Sequence, residues 1–254
     1  MNTRSFNFVT LVSAILISTS FYSCKNDVIT QATPMGTLMF HTHTNIDSLE
    51  ANAGDTVTDA GGRKIRLDVA QFYISNISLK KTDGTFYKVK GAYIMKYISH
   101  ETYLVGQVPA GNYTSVSFDI GIDSVTNATN PDSYPATSPL SIQNPVMWFG
   151  TTTKGYIFVN VQGLADTTWN HTGTPDYPFS YQIGTNALLK HIDMPSNPYI
   201  VIAGQTQYVH MICDYGILLR GINFKTQNLG DPFNYPAVAN QIASNIHQMF
   251  RYEM

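Results

Sequence analysis

The feature that most constrains this chain is a succession of short apolar or alternating runs, each closed by a cluster of Gly, Pro, Asn or Asp. Alternation places every second side chain on the same face of a strand, and repeated short runs between turn signals are typical of a β-sandwich or barrel. We therefore predict an all-β fold. The expected strands are 37–44, 64–80, 86–97, 113–122, 155–161, 179–183, 199–203 and 207–219.

Helical periodicity emerges only near the C-terminus. Ala239, Ile242, Ile246, Met249 and Phe250 recur at spacings of mostly three and four, which would align them in one apolar stripe. This pattern predicts a single C-terminal helix packed on the sandwich. Two polar segments, 123–144 and 166–178, predict long loops, which in a compact domain are usually functional or mobile.

Charge and motif content exclude several classes of function. Charged residues make up 13% of the 254 residues and the formal net charge is −2, so no basic field exists to gather nucleic acid. The nucleophile-elbow, phosphate-loop and metalloprotease motifs are absent from the sequence. We expect a binding protein that is not an enzyme and has no nucleic-acid partner.

The N-terminus carries the pattern of an exported lipoprotein. Arg4 precedes an apolar run at 6–17 that is too short to span a bilayer, as in a signal peptide. The segment SFYSC at 20–24 resembles a bacterial lipobox, so residues 1–23 would be removed and Cys24 lipidated. The polar leader at 24–35 resembles the tether of Bacteroidetes lipoproteins and would hold a domain at 36–254 on the membrane. We expect an outer-membrane lipoprotein that faces the periplasm or the cell surface.

Lipidation would leave Cys213 as the remaining thiol, so no intramolecular disulfide is expected. Cys213 lies in the apolar run YVHMIC at 208–213 and is predicted to be buried and inert.

The sharpest chemical pattern is FHTHTN at 40–45, in the first predicted strand. Residues two apart on a strand face the same side about 6.6–7 Å apart, so the imidazoles of His41 and His43 could converge on one metal ion. Imidazole nitrogen suits copper, zinc, nickel or iron, but two ligands alone do not make a firm site. His210 is the best third candidate because it also lies in a predicted strand. A solvent-facing polar stripe on an edge strand is the alternative interpretation of His41 and His43.

A series of blocks resembles the MbnP-like family of methanobactin-associated, periplasmic copper-binding proteins. The blocks, in order, are FYISNISL at 72–79, PAGNY at 109–113, FDIGIDS at 118–124, MW at 147–148 with GYIFV at 155–159, and FSYQIG at 179–184. The resemblance implies an immunoglobulin-like antiparallel β-sandwich and a role in copper handling. It also implies that Trp148 is a candidate for oxidation to kynurenine by a partner oxidase, with histidines completing the site.

Two positions depart from that family pattern. The family usually has a second tryptophan two residues from the first, which is missing here, and Gln182 stands where relatives usually have His. Intact indole cannot ligate a metal because its nitrogen is only a donor, so Trp148 would need oxidation to contribute.

The sequence thus predicts a lipid-anchored envelope protein that binds a transition metal, with copper preferred, for acquisition or storage. The expected metal residues are His41, His43, Trp148 and His210. The alternative function is a surface module without metal, whose two long loops bind glycan or protein.

Overall fold

Two β-sheets face each other across a core of aromatic and aliphatic side chains, in a computed structural model that describes residues 32–142 and 147–253. The predicted signal peptide, the predicted lipidation site Cys24 and most of the predicted tether lie outside the described residues. The strands are β1 (Met35–Ile46), β2 (Leu49–Glu50), β3 (Thr56–Thr58), β4 (Lys64–Lys81), β5 (Phe86–Lys88), β6 (Ile94–Lys96), β7 (Thr102–Pro109), β8 (Gly111–Ile120), β9 (Ile157–Ala165), β10 (Tyr177–Gly184), β11 (Lys190–Asp193), β12 (Tyr199–Val201), β13 (Thr206–Asp214), β14 (Leu229–Gly230) and β15 (Phe250–Tyr252). The helices are α1 (Ser124–Asn127), α2 (Tyr215–Leu218) and α3 (Pro236–Asn245).

Sheet A is the smaller sheet. Its strands run in the order β15, β13, β1 and β2, and β7 also pairs with β1. Sheet B is built on the long strand β4, with the order β11, β8, β4, β9, β10 and β14. The short strands β3, β5 and β6 also pair with β4, and β12 pairs with β8. Most pairings are antiparallel, but β1 pairs with β13 and β10 pairs with β14 in parallel.

Alternating side chains from both sheets interdigitate in the core. Phe40 on β1 lies 6.0 Å, centroid to centroid, from Phe118 on β8. Phe250 on β15 lies 5.3 Å from Phe118 and 5.6 Å from Phe72 on β4. These T-shaped and tilted ring pairs join sheet A to sheet B and confirm the predicted β-sandwich.

The predicted strands are found, but one of them is divided and another is shorter. The expected strand at 86–97 is two short strands, β5 and β6, and Gly91 adopts a positive φ between them. The expected strand at 207–219 ends at Asp214, whose carboxylate accepts from the backbone N–H of Ile217 and caps α2. The strands β2, β3, β7, β11, β14 and β15 were not predicted.

The C-terminal helix is confirmed but is shorter than its apolar stripe. Helix α3 ends at Asn245, a single 3₁₀ turn follows, and Phe250 begins β15. Phe250 pairs with Cys213 of β13 and fills the core between the sheets. The prediction that Phe250 lies on the C-terminal helix is therefore wrong, because its ring is buried between the sheets from strand β15.

The long loop before β9 covers the outer face of sheet B. Tyr73 points away from the main core and, with Tyr156, forms the centre of a second hydrophobic cluster. The hydroxyl of Tyr73 donates to the carbonyl of Pro139 at 2.9 Å, and the hydroxyl of Tyr156 donates to that of Leu140 at 2.7 Å. The described part of the loop is thus packed on the sheet.

Candidate metal centre

The alternation of β1 places its two histidines on the outer face of sheet A. Thr42 and Thr44 point inward and are buried, whereas His41 and His43 point outward with side chains 23% and 20% exposed. The rings of His41 and His43 lie 4.6 Å apart, centroid to centroid. The predicted convergence of the two imidazoles is therefore present in the structure.

The parallel pairing of β1 with β13 brings the third histidine alongside. His41 is in register with His210, and their ring centroids lie 4.8 Å apart. The two Nδ1 atoms are separated by 3.1 Å. His210 is the more open of the two, with half of its side chain exposed.

Two glutamates complete the cluster from neighbouring strands. Glu101 directly precedes β7, and its carbonyl accepts from the backbone N–H of Thr42 at 2.8 Å. Its carboxylate lies 3.3 Å from Nε2 of His41 and 3.5 Å from Nδ1 of His43. Glu101 therefore bridges the two histidines of β1.

Glu253 bridges His43 and His210 in the same way. It follows β15, and its backbone N–H donates to the carbonyl of His210 at 3.3 Å. Its carboxylate lies 3.3 Å from Nδ1 of His210 and 3.5 Å from Nε2 of His43. Three imidazoles and two carboxylates thus form a network, which we call the histidine cluster (His41, His43, Glu101, His210 and Glu253). A third carboxylate, that of Glu50 on β2, lies 3.9 Å from Nδ1 of His43.

The distances in the histidine cluster fit a shared metal ion. There are two sets of possible ligands, and within each set the donor atoms lie within 4.8 Å of one another. One set is His41, His43 and Glu101, and the other is His41, His210 and Glu253. Two nitrogens each about 2.0–2.1 Å from one ion are separated by roughly 2.9–3.4 Å at angles of 90–109°. The 3.1 Å separation of the Nδ1 atoms falls in this range, and it also suits a hydrogen bond when one of them carries a proton.

A buried cation lies beneath the histidine cluster. Lys96 is fully buried, donates from Nζ to Oγ1 of Thr44, and lies over the ring of Tyr215. Burial lowers its pKa to about 8, because the charged form loses hydration. Cys213 is fully buried, as predicted, and burial raises the pKa of its thiol to about 11.

Trp148 lies in a different part of the molecule from the three histidines. It pairs with Tyr156 just before β9, and the ring centroids of the two residues lie 4.9 Å apart. This contact belongs to the second hydrophobic cluster, on the outer face of sheet B. Gln182 lies on sheet B as well, on β10 opposite the buried Asn160. The structure therefore brings His41, His43 and His210 together but leaves Trp148 apart from them.

The two glutamates are the residues that sequence reasoning missed. Glu101 stands before an alternating segment, with Tyr103, Val105 and Val108 buried, which would have indicated β7 had the alternation been followed from residue 102. Glu253 has no local signal, because only the pairing of β15 with β13 places it beside His210.

Comparison with known proteins supplies the family. The model of the MbnP family matches residues 33–238, most of the chain. The chain belongs to the MbnP family. The solved structure of MbnP from Methylosinus trichosporium is similar to this MbnP-family protein, with a TM-score of 0.52, 14% sequence identity, and coverage of 72% of this chain and 77% of that one. At that identity the similarity establishes the fold. No curated protein sequence matches the chain.

Among the described residues of this MbnP-family protein, no helix is both long and apolar enough to cross a membrane.

Proposed function

We propose that this MbnP-family protein binds a transition metal ion at the histidine cluster, with copper preferred, for acquisition or storage in the cell envelope. The observation that carries the proposal is the 3.1 Å separation of the His41 and His210 Nδ1 atoms beside His43. Each of the two donor sets, one from His41, His210 and Glu253 and one from His41, His43 and Glu101, supplies two imidazoles and a carboxylate, which are enough protein ligands for a bound ion.

The chemistry of the donors favours copper. Imidazole binds copper and zinc well, and the affinity of divalent first-row metals for nitrogen sites peaks at copper. Membership of the MbnP family supports the same choice.

The carboxylates would act on the imidazoles. Glu101 lies 3.3 Å from Nε2 of His41, so a proton on that nitrogen would be held by the carboxylate and leave Nδ1 free to face His210. Carboxylates that orient ligating imidazoles in this way fix the tautomer and raise ligand basicity. Glu253 lies between His43 and His210 and would contribute either such an orienting contact or an oxygen ligand.

The proposal includes export of the protein to the cell envelope and its attachment to a membrane. The lipobox-like segment at 20–24 supports export and anchoring through Cys24, and the rigid β-sandwich would then present the histidine cluster near a membrane surface. We assign binding rather than catalysis to the cluster. The oxidation of Trp148 by a partner oxidase would be a separate event on sheet B.

The test is metal titration of the full-length protein with and without the two histidines of β1. We expect the His41→Ala/His43→Ala variant to lose at least about 100-fold in affinity for Cu(I) and Cu(II) in chelator competition, since it removes direct ligands whose orienting partners alone are worth about 10–100-fold. The matched control is His100→Ala/His247→Ala, which removes two exposed histidines outside the cluster. Equal affinity of the wild-type and the His41/His43 variant would reject the proposal.

A further inference from the structure

A second site candidate lies away from the histidine cluster. An open groove of about 950 Å³ runs between the turn at 59–63, the loop at 167–171 and the segment 216–225. Ligand sites in proteins commonly occupy about 300–1,000 Å³. No residue of the histidine cluster lines this groove, so metal binding does not account for it.

Trp169 stands at the edge of the groove and is 92% exposed. Within the described part of the chain its indole makes no hydrogen bond and no ring contact. A side chain of this size contributes to stability mainly through burial, so packing does not explain its presence. A large aromatic side chain presented to solvent beside a groove is suited to stacking on a ligand.

The loop that carries Trp169 is held at several points. The backbone N–H and hydroxyl of Thr168 donate to Oδ1 of Asp166 at 2.8 and 2.6 Å. Two residues beyond the tryptophan, Nδ1 of His171 lies 2.9 Å from the carbonyl of Gly61. The indole is therefore presented by an ordered loop, which reduces the entropy lost when a ligand binds.

The groove also carries unpaired positive charge. Arg220 and Lys225 are exposed, and within residues 32–142 and 147–253 their side chains have no hydrogen-bond or ion-pair partner. The guanidinium of Arg63 lies 5.2 Å from the centroid of the Phe224 ring, and its Nη2 lies 3.3 Å from Nε2 of His171.

The carboxylates of the groove are already engaged by backbone donors. Ala60 donates to Oδ2 of Asp47 at 2.7 Å, and the backbone N–H of Arg63 donates to Oδ1 of Asp59 at 2.7 Å. Three cationic side chains, those of Arg63, Arg220 and Lys225, thus line the groove. Its two acidic side chains accept hydrogen bonds from the backbone of the turn at 59–63. Such a surface favours an anionic ligand.

We propose that this groove binds an acidic oligosaccharide, with a sugar ring stacked on Trp169 and carboxylates paired with Arg220 and Lys225. The C–H face of a pyranose matches the indole, and a guanidinium matches a carboxylate in a planar fork. The hydroxyl of Thr167 and the amide of Asn223 also line the groove and suit sugar hydroxyls. Because the groove is open, a chain can pass along it. The net charge of −2 for the whole protein disfavours nucleic acid.

The test is calorimetric titration of the full-length protein at low salt with tetragalacturonate, using maltotetraose as the neutral probe. We expect tetragalacturonate to bind and maltotetraose to bind at least about tenfold more weakly, because it lacks the charge. Trp169→Ala should weaken tetragalacturonate binding by about tenfold, and Arg220→Gln/Lys225→Gln should weaken it similarly and reduce its salt dependence. Thermal unfolding of Trp169→Ala should match that of the wild type, since the indole is 92% exposed.

Several results would overturn the proposal. These are no binding of tetragalacturonate, equal binding of the neutral probe, an unchanged affinity in Trp169→Ala, or binding to phosphatidylglycerol vesicles while tetragalacturonate gives no heat. The His41→Ala/His43→Ala variant should bind tetragalacturonate like the wild type. This control separates the acidic-sugar site from the metal site, so either proposal can fail while the other stands.

Discussion

The outer faces of the two sheets differ in what covers them. On sheet B, Tyr73 and Tyr156 are buried under the loop that precedes β9, and Trp148 packs on that cluster. On sheet A, His210 and Glu253 remain half-exposed, and the histidine cluster is open to solvent. One outer face is thus covered by packed side chains, whereas the other leaves imidazoles and carboxylates accessible to solvent.

The metal residues predicted from strand alternation and the one predicted from family resemblance lie on different sheets. The histidines inferred from strand alternation meet on sheet A, whereas the Trp148 position inferred from family resemblance lies on sheet B. At the position where relatives usually have His, sheet B carries Gln182, whose amide is a poorer ligand for copper than imidazole. We therefore propose sheet A, and not sheet B, as the side that binds metal.

The largest expected effect concerns the covered face. Tyr73→Ala should lower the free energy of unfolding by about 3–5 kcal/mol, because it leaves a cavity under the loop and removes the hydrogen bond to Pro139. Chemical denaturation measures the change. The matched control on sheet A is the exposed Leu104→Ala, expected within about 0.5 kcal/mol of the wild type. An equal loss of unfolding free energy in the two variants would contradict the difference between the covered face of sheet B and the open face of sheet A.

The next effect concerns the buried cation under the histidine cluster. The pKa of Lys96 is about 8 in the folded protein, below its ordinary value of 10.5, so the unfolded chain binds more protons between these values. Stability should therefore rise as the pH increases from about 8 to about 9; above that pH the raised pKa of Cys213 acts in the opposite sense. Lys96→Met should remove this rise and increase the free energy of unfolding at pH 7 by about 1–3 kcal/mol. Denaturation at pH 7.0 through about 9.0 tests both statements, and a rise that persists in Lys96→Met would assign it to another group.

A smaller effect concerns the contribution of His210 to the proposed metal site on sheet A. His210→Ala should weaken copper binding by about tenfold, or about 1.4 kcal/mol, while leaving His41 and His43 in place. Its side chain is half-exposed, so stability should not change measurably. Chelator competition gives the affinity. An unchanged affinity would restrict the site to the side of the cluster formed by His41, His43 and Glu101.

The smallest effect concerns Trp148. Trp148→Phe should change copper affinity by less than about twofold, because the side chain belongs to the cluster on sheet B. The measurement is the same chelator competition, with unfolding measured in parallel. A large loss of affinity without loss of stability would connect Trp148 to the metal site and merge the two faces that the structure separates.

Much of the fold was predictable because its signals are local. Leu38 and Phe40 alternate with Met39 and His41 along β1, so the sequence itself assigns the faces of that strand. The register between β1 and β13 was not predictable, since it joins residues 169 positions apart through a parallel pairing. Glu253 enters the site by the same kind of long-range pairing. Local pattern predicts which residues share a face, whereas tertiary pairing decides which faces meet.

Anomalous diffraction from crystals of the full-length protein loaded with copper would locate the metal site. We expect a copper peak on the outer face of sheet A, within bonding distance of His41 Nδ1 and His210 Nδ1. A peak on sheet B, beside Trp148 or Gln182, with none at the histidine cluster, would contradict the proposed metal site.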